Sequence, residues 1–225
     1  MRRFLVICIF CAGGLVLIGS GCATKSTGSS TPAVEVKTPR IPPLPDGVVL
    51  HQDKDIQGVW LAPGFSFDQY DALYILPTDF KAVERPNEKE MRAFAIVSLQ
   101  EQFQTEARLS GLYKTVAIST NDIPAGSRCL TLQNTIIEYE KGGGGARYFP
   151  GMFGAGQPVI KVRGLMYDGD RLVFVFEAKR SGESPSARLN DGFMSDQDIQ
   201  QNDIRDLTSD MADCMKRNSK PVVAK

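Results

Sequence analysis

Residues 87–109 read NEKEMRAFAIVSLQEQFQTEARL. Asn87 is a good N-cap, and Glu90 stands three residues later, the spacing of a capping box. Met91, Ala95, Leu99 and Phe103 recur at every fourth position, and Phe94, Ile96 and Val97 widen the stripe. This periodicity predicts an amphipathic helix, for which Gly111 supplies the stop. Upstream, Ala72 to Leu76 reads as a strand ended by Pro77; downstream, Lys114 to Ser119 reads as another. A strand, a helix and a strand of these lengths predict a crossover that leaves the two strands parallel.

Beyond this unit the pattern changes to period two. Leu130 and Leu132 alternate with Thr131 and Gln133 towards Glu140. The adjacent pair Ile136 and Ile137 breaks the alternation, as a β-bulge would. Ile160, Val162 and Met166 then face one way and Lys161 and Arg163 the other, and Asp168-Gly169 marks a hairpin turn. Leu172, Phe174 and Phe176 form the inward face of the last strand, and residues 181–190 read as a polar loop. A second helix is announced by Ser195 and Asp198 and carries Ile204, Leu207, Met211, Cys214 and Met215 on one face. The expected fold is α+β: a two-layer sandwich with a mixed sheet of five to six strands and two amphipathic helices on one face. The other face is expected to be more polar, with Lys161, Arg163, Glu177 and Lys179 on it and the Trp60 segment covering part of it.

The N-terminus reads as targeting rather than fold. Arg2 and Arg3 precede an apolar run, Phe4 to Ile18, and then Gly19-Ser20-Gly21-Cys22. This resembles a bacterial lipoprotein signal, which implies that residues 1–21 are removed and that Cys22 carries lipid. Gly19 departs from the leucine usual at that place. By resemblance to enterobacterial lipoproteins, Ala23 implies the outer membrane. Residues 22–46 read as a Ser/Pro-rich tether, residues 47–218 as one α+β domain and residues 219–225 as a disordered tail. Pro39, Pro42, Pro43 and Pro45 bias the end of the tether to extended polyproline II.

Little in the 225 residues looks like catalysis. The formal net charge is zero, so there is no basic footprint of a nucleic-acid binder. The single histidine, His51, excludes a zinc site with several His ligands. The acidic pairs Asp53 with Asp55, Asp68 with Asp71 and Asp168 with Asp170 read as turns or solvated surface rather than catalytic dyads. No nucleophile, base and orienter assemble, so no enzyme, no cofactor and no metal is expected. After loss of the leader, which takes Cys8 and Cys11, and lipidation of Cys22, the cysteines left are Cys129 and Cys214. In an oxidising compartment they form either one disulfide, which is the expectation, or two separately buried thiols.

The one unusual stretch is residues 136–157, IIEYEKGGGGARYFPGMFGAGQ. It lacks the lysine, Ser/Thr and following helix that a phosphate-binding loop needs, so no nucleotide is expected. Two readings stay open. Tyr148, Phe149, Met152 and Phe153 fold back onto the sheet edge, or, flanked by Lys141 and Arg147, they form a contact loop for a partner or a membrane surface.

Together with the lipidated cysteine, the tether, GVWLAPGFSFDQYDALYILPTDF at residues 58–80 and LTSDMADCMKR at residues 207–217, these residues resemble bacterial lipoproteins with a domain of unknown function, the 4410 family. Such domains are distantly similar in architecture to the curli-secretion lipoprotein and the amino-terminal domain of the TolB protein. The resemblance implies a periplasmic interaction or assembly role and brings no catalytic residues. The expectation is a protein held to the membrane at Cys22, with an envelope partner or self-association. The alternative is an oligomeric secretion or pore-associated lipoprotein.

Overall fold

The computed structural model describes residues 43–82, 89–140, 158–181 and 196–219. They form a mixed seven-stranded sheet and two long helices. The chain runs β1 (Gly58–Leu61), β2 (Ala72–Ile75), β3 (Asp79–Phe80), α1 (Lys89–Ser110), β4 (Thr115–Ala117), β5 (Cys129–Glu140), β6 (Val159–Asp168), β7 (Arg171–Ser181) and α2 (Asp196–Asn218). Strand order is β1-β7-β6-β5-β2-β4, with β3 also paired to β5. The class is the expected α+β sandwich, with a strand or two more than the sequence pattern shows. The two-residue β3, just past Pro77, is too short to leave a pattern.

The helical stripe forms as its period dictates. Ala95, Leu99, Phe103 and Ala107 have no exposed surface. Gly111 ends α1 with φ +70°, the left-handed conformation that glycine adopts without strain. Beyond it, β4 lies parallel to β2, as the crossover requires. On α2, Ile204, Leu207, Met211, Cys214 and Met215 are all buried. Both helices pack into one core with Leu73, Ile75, Leu130, Leu132, Met166, Phe174 and Phe176. Fully burying a side chain of this size contributes about 1.5–3 kcal/mol.

At the centre of that core, Phe176 lies across Gly164 on the neighbouring strand. A Cβ at Gly164 would stand 2.1 Å from the ring's Cζ, so only glycine admits the ring there. Asn134 pairs with Gly164 in register from the other side and is fully buried, with neither amide atom hydrogen-bonded.

Two bulges adjust the pattern. One falls between Ile136 and Glu138, where the adjacent isoleucines predict it. The other lies in β7, where Met166 pairs with Phe174 but Tyr167 pairs with Leu172. The extra residue, Val173, turns Leu172 away from the helices. Leu172 is therefore half-buried on the opposite face and is not part of the inward row expected with Phe174 and Phe176.

Candidate functional site

Alternation gives the sheet a second face. Residues that are direct pairing partners share a side, so the register fixes its contents. One row across β1, β7, β6 and β5 is Trp60, Val175, Leu165 and Gln133. A second across β2, β5, β6 and β7 is Tyr74, Thr131, Tyr167 and Leu172. Towards the Glu140 end of β5 stand Arg163, Glu177, Lys161, Lys179 and Glu138. Among the described residues no helix lies on this side. Trp60, Tyr74, Leu165 and Tyr167 are half-buried, while Val175, between Trp60 and Leu165, has no exposed surface.

The expected polar row is thus present, and its three cations are paired with two carboxylates, Glu177 and Glu138. Glu177 accepts from Arg163 Nε at 2.8 Å and from Arg163 Nη2 at 2.5 Å, and Lys161 Nζ stands 2.8 Å from its other oxygen. Burial pushes the Glu177 carboxyl up, but the hydrogen bonds from Lys161 and Arg163 outweigh it and hold the group below its ordinary value. Lys179 Nζ donates to Glu138 at 2.8 Å. Arg163 and Glu177 are each about nine-tenths buried. Trp60 does not cover the face as expected. Its strand joins the sheet beside β7 and its ring belongs to the face itself.

Each outer strand has one residue already engaged on its outer side. On β1, Val59 and His51 exchange both backbone hydrogen bonds at 2.8 Å. On β4, the Val116 carbonyl accepts from Gln104 Nε2 at 3.1 Å and from Arg108 Nη2 at 3.0 Å.

The other sequence candidates resolve individually. His51 is exposed and serves β1 through its backbone. Asp53 and Asp55 are not a solvated pair: both hold the Arg217 guanidinium, Asp55 at 2.8 Å, and so join the first segment of the domain to the last turn of α2. Asp68 accepts from the Ser66 hydroxyl, Asp71 pairs with Lys114 at 2.7 Å, and Asp168 accepts from the Tyr70 hydroxyl at 2.7 Å. Among the described residues no group of His, Cys, Asp and Glu could hold a metal ion.

Cys129 and Cys214 are free thiols, which corrects the expected disulfide. The reason is topological. Cys129 alternates with the core residue Leu130 and shares the side of Thr131 and Gln133, whereas Cys214 is packed in the helical core. The sheet stands between them. Burial pushes the Cys129 thiol up, and the Cys214 thiol up to about 12, so both stay protonated near neutral pH. Cys22, the contact-loop residues Lys141, Arg147, Tyr148, Phe149, Met152 and Phe153, and the cap residues Asn87 and Ser195 lie outside the described residues.

The fold and this face define a two-layer α+β protein with one sheet surface that no described helix covers. No family model matches the chain, so the resemblance to the 4410 family finds no support there, and no curated protein matches it. Solved structures do align. A PelC dodecamer from Paraburkholderia phytofirmans does so at 16% identity and a TM-score of 0.39, over 68% of this chain and 96% of that one. A protein of family DUF330 from Xanthomonas campestris aligns at 12% identity and 0.38, over 70% of this chain and 90% of that one. A minor lipoprotein from Acinetobacter baumannii aligns at 13% and 0.32, over 66% and 94%. Likenesses this distant carry no argument about function.

Proposed function

We propose that this chain is a lipid-anchored cell-envelope protein whose folded domain is a non-enzymatic interaction or assembly module. In this reading residues 1–21 are a leader, Cys22 carries lipid in the outer membrane, and residues 22–46 tether a periplasmic domain of residues 47–218, followed by the tail at 219–225. The observation that carries the interaction role is the helix-free face. It presents Trp60, Leu165, Tyr167 and Tyr74 beside a set of paired charges. Aromatic and aliphatic side chains grouped in this way are the anchors that protein contacts use. Lys141, Arg147, Tyr148, Phe149, Met152 and Phe153 extend the contact from the connection between β5 and β6.

The test is the native mass of the full chain extracted from envelopes in mild detergent, beside a Leu165→Arg variant. The wild type should carry the mass of a second chain, foreign or identical, and Leu165→Arg should lose it while still melting cooperatively, only a few degrees lower. Equal masses for the two proteins would sink the face as the contact surface. A discrete large homo-oligomer would make the partner further copies of this chain.

A further inference from the structure

Tyr74 on β2 and Tyr167 on β6 share one register row, Trp60 on β1 stands in the neighbouring row, and the three occupy alternate strands of the face. Neighbouring strands are about 4.8 Å apart, so the rings succeed one another at a lateral interval of about 10 Å. A polyproline II helix has three residues per turn and rises about 3.1 Å per residue, so every third side chain returns to the same side after about 9 Å. The chain contains a segment with that repeat. In KTPRIPPLPD, residues 37–46, Pro39, Pro42 and Pro45 are three residues apart. Surfaces lined with aromatic rings are what proline-rich segments dock on, because an extended proline helix is preformed and loses little entropy.

We infer that the Pro39–Pro45 segment of this same chain docks across the face, with Pro45 towards Trp60, Pro42 towards Tyr167 and Pro39 towards Tyr74. The place where the segment enters the domain favours this occupant. The Val48 N–H donates to the Pro45 carbonyl at 3.1 Å and Gly47 takes φ +80°, which closes a turn and reverses the chain. Beyond the turn His51 pairs with Val59, the neighbour of Trp60, and Leu50 lies against Gly58 on the same strand. Leu44 and Pro45 are already half-buried. The lengths agree as well. Six residues of polyproline II from Pro45 back to Pro39 span about 19 Å, and four strand spacings from β1 to β2 also span about 19 Å. Held by the turn, the segment has a high effective concentration at the face, so a weak contact suffices. The inference rests on the face being a contact surface and adds that its resident is the tether, which any partner must displace.

Trp60 is the only tryptophan of the chain and reports directly. The full chain in mild detergent is compared with a variant carrying Pro39→Ser, Pro42→Ser and Pro45→Ser, by Trp60 emission and acrylamide quenching. The synthetic peptide of residues 37–46 is then added to each. The wild type should show a protected Trp60 and ignore the peptide. The triple variant should show red-shifted, more readily quenched emission that the peptide reverses, and a Tyr167→Ser change should weaken that reversal. The same emission and quenching in both proteins, with no response to peptide, would overturn the inference. Protection that disappears on dilution would also overturn it, since the segment would then come from a second copy. Should docking fail while Leu165→Arg still removes the partner's mass, the contact surface stands and only the tether's part in it is lost.

Discussion

The two faces of the sheet are built from the same strands yet do different things. On the helix side, β5, β6 and β7 present Leu132, Met166, Phe174 and Phe176 to α1 and α2, and all four are fully buried. On the other side the same strands present Gln133, Leu165, Val175 and a ring of paired charges. An antiparallel sheet with one solvated face is expected to alternate cleanly. In β7 it does not: Val173 through Ala178 are buried without a break. The difference shows that the middle of the second face is shielded rather than washed by water, and that its charges are arranged to tolerate this.

The sharpest break in the comparison is a truncation on the helix side. Phe176→Ala should cost about 3–5 kcal/mol, because it removes a fully buried ring and leaves Gly164 uncovered. Chemical denaturation of the variant checks this, and a loss under 1 kcal/mol would mean that the core is not where the sheet and helices meet. Next comes Glu177→Gln, expected to cost about 2 kcal/mol at neutral pH through weakened charged hydrogen bonds. The sign with pH follows from the lowered carboxyl. Its stabilisation is complete above the ordinary value of 4.5 and disappears as pH falls through the lower value of the folded state. Wild type and variant should therefore converge in melting temperature in acid, and a gap that stays constant down to acid pH would remove the ion pairs from the account. Leu165→Ala, on the second face, should cost only about 1 kcal/mol, since the side chain is half-buried. A loss as large as that of Phe176→Ala would erase the distinction between the faces. The mildest probe is thiol labelling of the native protein. The half-buried Cys129 should react with iodoacetamide before the buried Cys214, and the reverse order would place the cysteines on the wrong sides of the sheet.

What was legible in the sequence was whatever repeats locally. The four-residue stripe of α1, the parallel strands flanking it, the isoleucine bulge, the Asp168-Gly169 hairpin and the apolar face of α2 each lie within a short window, where period and turn chemistry decide the structure. What was not legible depends on partners far apart in the chain. The grip of Asp53 and Asp55 on Arg217 spans most of the domain, so the two aspartates read as ordinary surface. The bulge at Val173 moves Leu172 to the other face without any break in the apolar pattern that would announce it. Trp60 looked like a cover because its strand is short. Only the pairing with β7 shows that it is part of the surface. The candidate site was half visible: Lys161, Arg163, Glu177 and Lys179 could be placed on one side by alternation, but not which of them pair, nor the aromatic residues beside them.

The hold of Asp53 and Asp55 on Arg217 has a mechanical consequence. A pull on the chain ahead of residue 51 passes through the short His51–Val59 bridge and then two partly buried ion pairs before it loads the hydrophobic core. Salt screens such pairs while leaving apolar burial intact. Tension on the N-terminal side would thus open the bridge on β1 first and the hold on the last turn of α2 next, the second step at a force that ionic strength sets, with the sheet and helices still folded behind it.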